Sequence, residues 1–100
     1  MADLHILREH SLGLTEARKI ALQWAEHVEK DFGMTCIYEE GDVEDEVCFT
    51  RSGVQGRLSV TQNKFEIKAR LGFFLDAFKS SIEREIVKNL DRFLEDKPQA

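Results

Sequence analysis

The stretch Lys64–Phe78, KFEIKARLGFFLDAF, decides the fold. Phe65, Ile67, Ala69 and Leu71 alternate with Lys64, Glu66, Lys68 and Arg70, which is the period of a strand with one buried and one wet face. Gly72 ends the alternation, Phe73, Phe74 and Leu75 follow as an unbroken apolar run, and helical spacing continues from Phe78. A strand therefore passes directly into a helix, and the joint carries more large apolar surface than any other part of the chain.

Upstream of this joint the chain reads as further strands and one helix. Leu4 to His10 is expected to form a first strand with Leu4 and Ile6 on one face and Leu7 on the other. Ser11 to Thr15 reads as a turn, with Thr15 as N-cap and Glu16 in the first turn of a helix over 16–32. Ala17, Ile20, Ala21, Trp24, Ala25, Val28 and Phe32 form its apolar stripe, and Gly33 its stop. The three alanines predict close approach to another element. Met34, Cys36 and Tyr38, then Val47 and Phe49, then Val54, Gly56, Leu58 and Val60 alternate as three more strands.

Registers follow from parity, because residues directly opposite in an antiparallel pair share a face. A two-residue loop at Ser52-Gly53 pairs Arg51 with Val54, Phe49 with Gly56 and Val47 with Leu58. A loop at Gln62-Asn63 pairs Val60 with Phe65, Leu58 with Ile67 and Gly56 with Ala69. Both registers set apolar on apolar. Gly56 and Ala69 become a small layer beside Phe49, with Trp24 expected to pack across it. The final helix is expected to start early, near Gly72 to Asp76, rather than at the capping box Ser80–Glu83. Its stripe is Leu75, Phe78, Ile82, Ile86, Leu90 and Phe93. The order β-α-β-β-β-β-α, with two amphipathic helices and one apolar sheet face, predicts a two-layer α+β sandwich with an antiparallel sheet and both helices on one face. Helix 1 can cross that face and leave the meander intact, so the expected strand order is 2-3-4-5-1.

Residues 1–100 are read as one domain, with 97–100 as a frayed tail. A chain of this length removes roughly 60–70% of its unfolded surface on folding, enough for one modest core. The start, MADLHILREH, is not a secretory signal, and no window approaches a membrane span. Two cysteines without an export signal point to free thiols in the cytoplasm. The net charge of −5 arises from Glu39, Glu40, Asp42, Glu44, Asp45 and Glu46, one loop rather than a property of the whole fold.

Candidate chemistry is sparse. His5, His10 and His27 read as solvated, and the acidic loop EEGDVEDE lacks the ligand spacing of a calcium loop, so no metal or cofactor is expected. Cys36 and Cys48 fall on opposite faces and are not expected to bond. Arg57, Lys64, Lys68 and Arg70 share the outer face with Glu66, a candidate surface for an anionic partner. No aromatic residues alternate with these charges, so nucleic acid is not expected. There is no phosphate loop, nucleophile elbow or zinc spacing, which favours a non-enzymatic protein. Phe73, Phe74 and Leu75 are the candidate interaction surface, because the helix stripe is already occupied and Phe73 points away from it.

Three segments, REHSLGLTEARKIALQWAE, FTRSGVQGRLSV and RLGFFLDAFKSSIEREIVKNLD, together resemble the small bacterial polyhydroxyalkanoic acid system family, also called the granule-region family. The likeness spans nearly the whole chain in the same order. It implies a setting among polyester-synthesis and granule proteins, with a granule or a granule-associated protein as partner, and it brings no catalytic residues. The expectation is an accessory protein that binds such a surface through apolar residues. The alternative is a small helix-grip-like carrier of a fatty-acyl or hydroxyacyl ligand, favoured by a cavity lined by Trp24, Phe49, Phe65 and Phe78. The sequence sets no oligomeric state.

Overall fold

The computed structural model describes residues 2–95. The elements are β1 (Ala2–Glu9), α1 (Gly13–Phe32), β2 (Thr35–Glu39), β3 (Asp45–Arg51), β4 (Val54–Val60), β5 (Lys64–Leu71), a 3-10 segment (Phe73–Phe78) and α2 (Lys79–Glu95). The fold is α+β, with one five-stranded antiparallel sheet in the order β1-β5-β4-β3-β2. Strand 1 thus lies antiparallel beside strand 5, as expected, rather than parallel to strand 2. The tail at 97–100 lies outside the described residues.

Parity governs the sheet. Arg51 faces Val54, Phe49 faces Gly56 and Val47 faces Leu58. Val60 faces Phe65, Leu58 faces Ile67 and Gly56 faces Ala69. The inner row of β5 is buried throughout, at Phe65, Ile67, Ala69 and Leu71, and Leu4 and Ile6 of β1 continue it. Leu7, on the opposite row, is exposed.

The two helices cover the inner row. Ala17, Ile20, Ala21, Trp24, Ala25 and Val28 of α1 are buried, with Leu90 and Leu94 of α2 in the same core. The alanines keep that face of α1 short-sided, which allows the close approach expected of them. Gly33 ends α1 in the left-handed conformation, its N–H bonded to the Val28 carbonyl.

Two boundaries differ from the sequence expectation. Helix α1 starts at Gly13, so Thr15 is inside its first turn and caps nothing. The Gly13 N–H donates instead to the Gln62 carbonyl at 3.0 Å, so a backbone bond from the β4–β5 loop fixes the helix entry. The chain becomes helical at Phe73, but as a 3-10 segment, and α2 begins only at Lys79. The Gly72 N–H is held by the Gly53 carbonyl at 2.8 Å, which ties the joint to the β3–β4 turn.

The small layer has a definite purpose. A Cβ on Gly56 would overlap the far end of the Phe49 ring and stand 3.0 Å from the Ala69 Cβ. The ring occupies the space that glycine leaves. The Trp24 ring meets Phe49 edge-on, with centroids 5.2 Å apart. Both side chains are fully buried, so the ring cannot swing out of the way.

Gly56→Ala should therefore destabilise the protein by about 1–3 kcal/mol through overpacking. On a Phe49→Leu background most of that cost should vanish, since the obstructing ring is gone. Urea unfolding of the four species forms a double-mutant cycle, and a coupling near zero would mean that Phe49 does not occupy the space.

Candidate functional site

The two ends of the sheet are filled differently. At the end where Val60 faces Phe65 both side chains are fully buried. There Asp45, the first residue of β3, is completely buried, and its carboxylate accepts four hydrogen bonds. Arg18 of α1 donates through Nε at 2.7 Å and Nη2 at 3.1 Å, Tyr38 through its hydroxyl at 2.6 Å, and Gly41 through its backbone N–H at 3.0 Å. Burial alone would push this carboxyl up, but these donors outweigh it and hold Asp45 below the usual carboxylate range. The same bond raises the Arg18 guanidinium, and burial, followed by donation to Asp45, pushes the Tyr38 hydroxyl up.

The acidic loop is thus not wholly solvated. Asp45 shares the inner row with Val47 and Phe49, so parity sends it into the core, where it requires a cation. His10 at the same end is also buried rather than solvated. Its ring lies 4.7 Å from that of Phe65, and its Nδ1 accepts the Leu12 N–H at 3.1 Å. Burial lowers the His10 imidazole from its usual value, so it remains neutral near pH 7. His27 is half-buried, with its ring against Phe32 and Phe93 and its Nδ1 3.0 Å from Asp31.

The opposite end, where Arg51 faces Val54 and Val54 faces Leu71, is hollow. A cleft of about 750 Å³ opens between α2, the C-terminal half of α1 and the sheet. Trp24 and Phe49 line its inner part, with Ala69 and Leu71 of the sheet. Leu75, Phe78, Ile82 and Ile86 line it from the 3-10 segment and α2. These four are the first four of the six residues in the helix stripe. They are only partly covered, and Phe78 is 57% exposed, whereas Leu90 further along α2 is buried. Phe65, expected to line a cavity with Trp24, Phe49 and Phe78, sits instead in the filled end beside His10. The polar lining groups are Arg51, Ser52, Ser81, Glu85 and Asn89. Arg51 was legible through the row Val47, Phe49, Arg51, which carries a cation to the end of an apolar face.

The expected interaction residues divide. Phe73 is 80% exposed, so the corner does not bury it under β1. Leu75 is half-buried against the core and lines the cleft. The Phe74 side chain lies outside the described residues. On the outer face Arg57 stands opposite Lys68, as the register requires, and turns to Glu46 at 3.3 Å. Arg70 lies 3.4 Å from Asp3, and Glu66 lies 2.6 Å from His5. The contact with His5 lowers the Glu66 carboxyl. This face is a mosaic of charge pairs rather than a basic field.

Cys36 and Cys48 are free and on opposite rows of adjacent strands. Burial pushes the Cys36 thiol up to about 11, so it stays protonated near neutral pH. Glu39, Glu46 and Cys48 bring one ligand atom each within 4.8 Å of one another, and Glu46 is already engaged by Arg57. His5 and His10 are not brought to this group: His5 pairs with Glu66, and His10 is in the core.

The fold and the cleft define a two-layer α+β protein with an apolar cleft on the helical side of its sheet. Over residues 4–94 the chain matches the family described as "putative polyhydroxyalkanoic acid system protein", and it belongs to that family. No curated protein and no solved structure matches it significantly. Among the described residues no helix is long and apolar enough to cross a membrane.

The buried carboxylate gives the protein an acid limit. The folded Asp45 carboxyl titrates below its unfolded counterpart, which lies near ~3.9. Its contribution to stability is complete above that pH and is lost as the pH falls through the folded value. Asp45→Asn should cost roughly 3 kcal/mol at pH 7, the lower end for breaking a buried pair, because Arg18 keeps some solvent contact. Urea unfolding across pH should show a shallower acid loss for the variant than for wild type. Parallel pH profiles would mean that Asp45 is not the group responsible.

Proposed function

We propose that this protein is a non-enzymatic binding protein of polyhydroxyalkanoate metabolism that works in the cytoplasm. Its cleft takes up the hydrocarbon part of a fatty-acyl or hydroxyacyl molecule. The cleft itself carries this reading. Its volume falls in the ~300–1,000 Å³ range of small-molecule sites, and its walls are mostly aromatic and aliphatic. Water in such a space finds few polar partners, and a dry void forfeits dispersion contacts. An apolar chain satisfies both conditions.

Trp24 is the chain's single tryptophan and forms part of the wall, so it reports occupancy directly. Titration with 3-hydroxydecanoate should change its emission saturably. Ile82→Trp, judged by ligand-induced protection against thermal unfolding because it adds a second indole, should fill the cleft and abolish protection while leaving the fold intact. A wild-type emission that does not respond would refute acyl-chain uptake.

A second reading rests on the exposure of Phe73 beside half-exposed Phe78. Together with Leu75 at the rim, these side chains make an apolar contact for a polyester granule or a granule-associated protein. One buried Phe contributes roughly 1.5–3 kcal/mol, which becomes effective when several copies act on one surface. Phe73→Ser should reduce co-sedimentation with purified granules and leave the unfolding free energy within about 0.5 kcal/mol of wild type. Unchanged co-sedimentation would place any granule contact elsewhere.

A further inference from the structure

We infer that the ligand of the cleft is an anionic amphiphile, a hydrocarbon chain ending in a carboxylate, and that Arg51 receives the carboxylate. This inference rests on the reading of the cleft as an acyl-chain site. Arg51 closes the inner row of β3 after Val47 and Phe49, so parity delivers its side chain to the helical side of the sheet, where it lines the cleft.

The ion pairs of the other arginines on the sheet and α1 set Arg51 apart. Arg8 pairs with Asp91, Arg18 with Asp45, Arg57 with Glu46 and Arg70 with Asp3. Among the described residues Arg51 has no carboxylate partner. It donates Nη1 to the Phe32 carbonyl at 2.7 Å, at the end of α1. That bond orients the side chain and uses one of the five donors of the guanidinium fork. The remaining donors belong to a planar group matched to a carboxylate in bidentate geometry. Ser52, next in the chain, adds a hydroxyl to the same lining. A chain threaded between Ile82, Ile86 and Phe49 therefore finds a cation where the apolar row ends. Glu85 is the lining's acidic group and disfavours a second negative charge, which suits a monoanion better than a polyphosphate head.

The test compares decanoate with decanol, two probes of the same chain length that differ in charge, by Trp24 emission at pH 8 and low salt. Wild type should bind decanoate at least about tenfold more tightly, which corresponds to about 1.4 kcal/mol. Arg51→Gln should bring the two affinities within about twofold and leave that for decanol unchanged. Arg51→Lys, which keeps a cation without the fork, should retain part of the preference. Glu85→Gln should bind decanoate at least as tightly as wild type. Equal affinities in wild type would overturn the assignment of a carboxylate ligand and leave acyl-chain binding standing. A preference that survives Arg51→Gln would overturn the role of Arg51. Failure of wild type to bind either probe would overturn both the inference and the reading beneath it. Because Arg51 also holds the end of α1, unfolding midpoints accompany each variant. If both Arg51 variants unfold, the wild-type comparison decides.

Discussion

The contact of Trp24 with Phe49 above the Gly56–Ala69 layer sets the geometry of the whole molecule. The missing side chain at Gly56 leaves the space that the end of the Phe49 ring occupies. A second ring then descends from α1 and meets its edge. This pair fixes where α1 crosses the meander, and the crossing determines which residues of α2 reach the core. The same two rings form part of the cleft wall, so the centre of the core and the inner limit of the site are one structure.

From that centre the sheet divides into two unlike halves. Toward Asp45 and Phe65 the inward positions of β3, β4 and β5 are buried, and the carboxylate among them is paired with Arg18. Toward Arg51 and Leu71 the inward positions are occupied, but the layer above them is thin. Helix α2 delivers Leu90 and Leu94 to the core, whereas Phe78, at the end of the 3-10 segment before it, is half out of it. Side chains three apart eclipse in the preceding 3-10 segment, so Leu75 and Phe78 share one side and line the cleft together.

The treatment of charge follows the same division. Asp45 is tolerated without solvent because four donors complete its hydrogen bonding, two of them from one guanidinium. Arg51 stands at the corresponding inward position at the far end of β3 and bonds the end of α1, with no carboxylate paired to it among the described residues. One strand thus begins with a buried anion that is fully matched and ends with a cation that is not. On the outer face the cations are distributed among acids, which explains how Arg57 can stand opposite Lys68 without an external anion.

Much of this was written in the alternation of the strands. Phe65, Ile67, Ala69 and Leu71 define one face without reference to any other element, and two short loops then leave a single register for the meander. The order of the meander and the opposition of Phe49 to Gly56 follow from that, because a period of two admits no intermediate register. The sequence also carried Asp45 and Arg51 on the inward row of β3, and the family through long stretches of matching residues. It did not carry the partners of those two charges: Arg18 lies 27 residues from Asp45, and Phe32 lies 19 from Arg51. Nor did it carry the burial of His10, the start of α1 at Gly13, or the cleft. Each of these depends on how far apart two elements come to rest. A periodic pattern states which face is apolar, and only packing in three dimensions states whether another surface covers it.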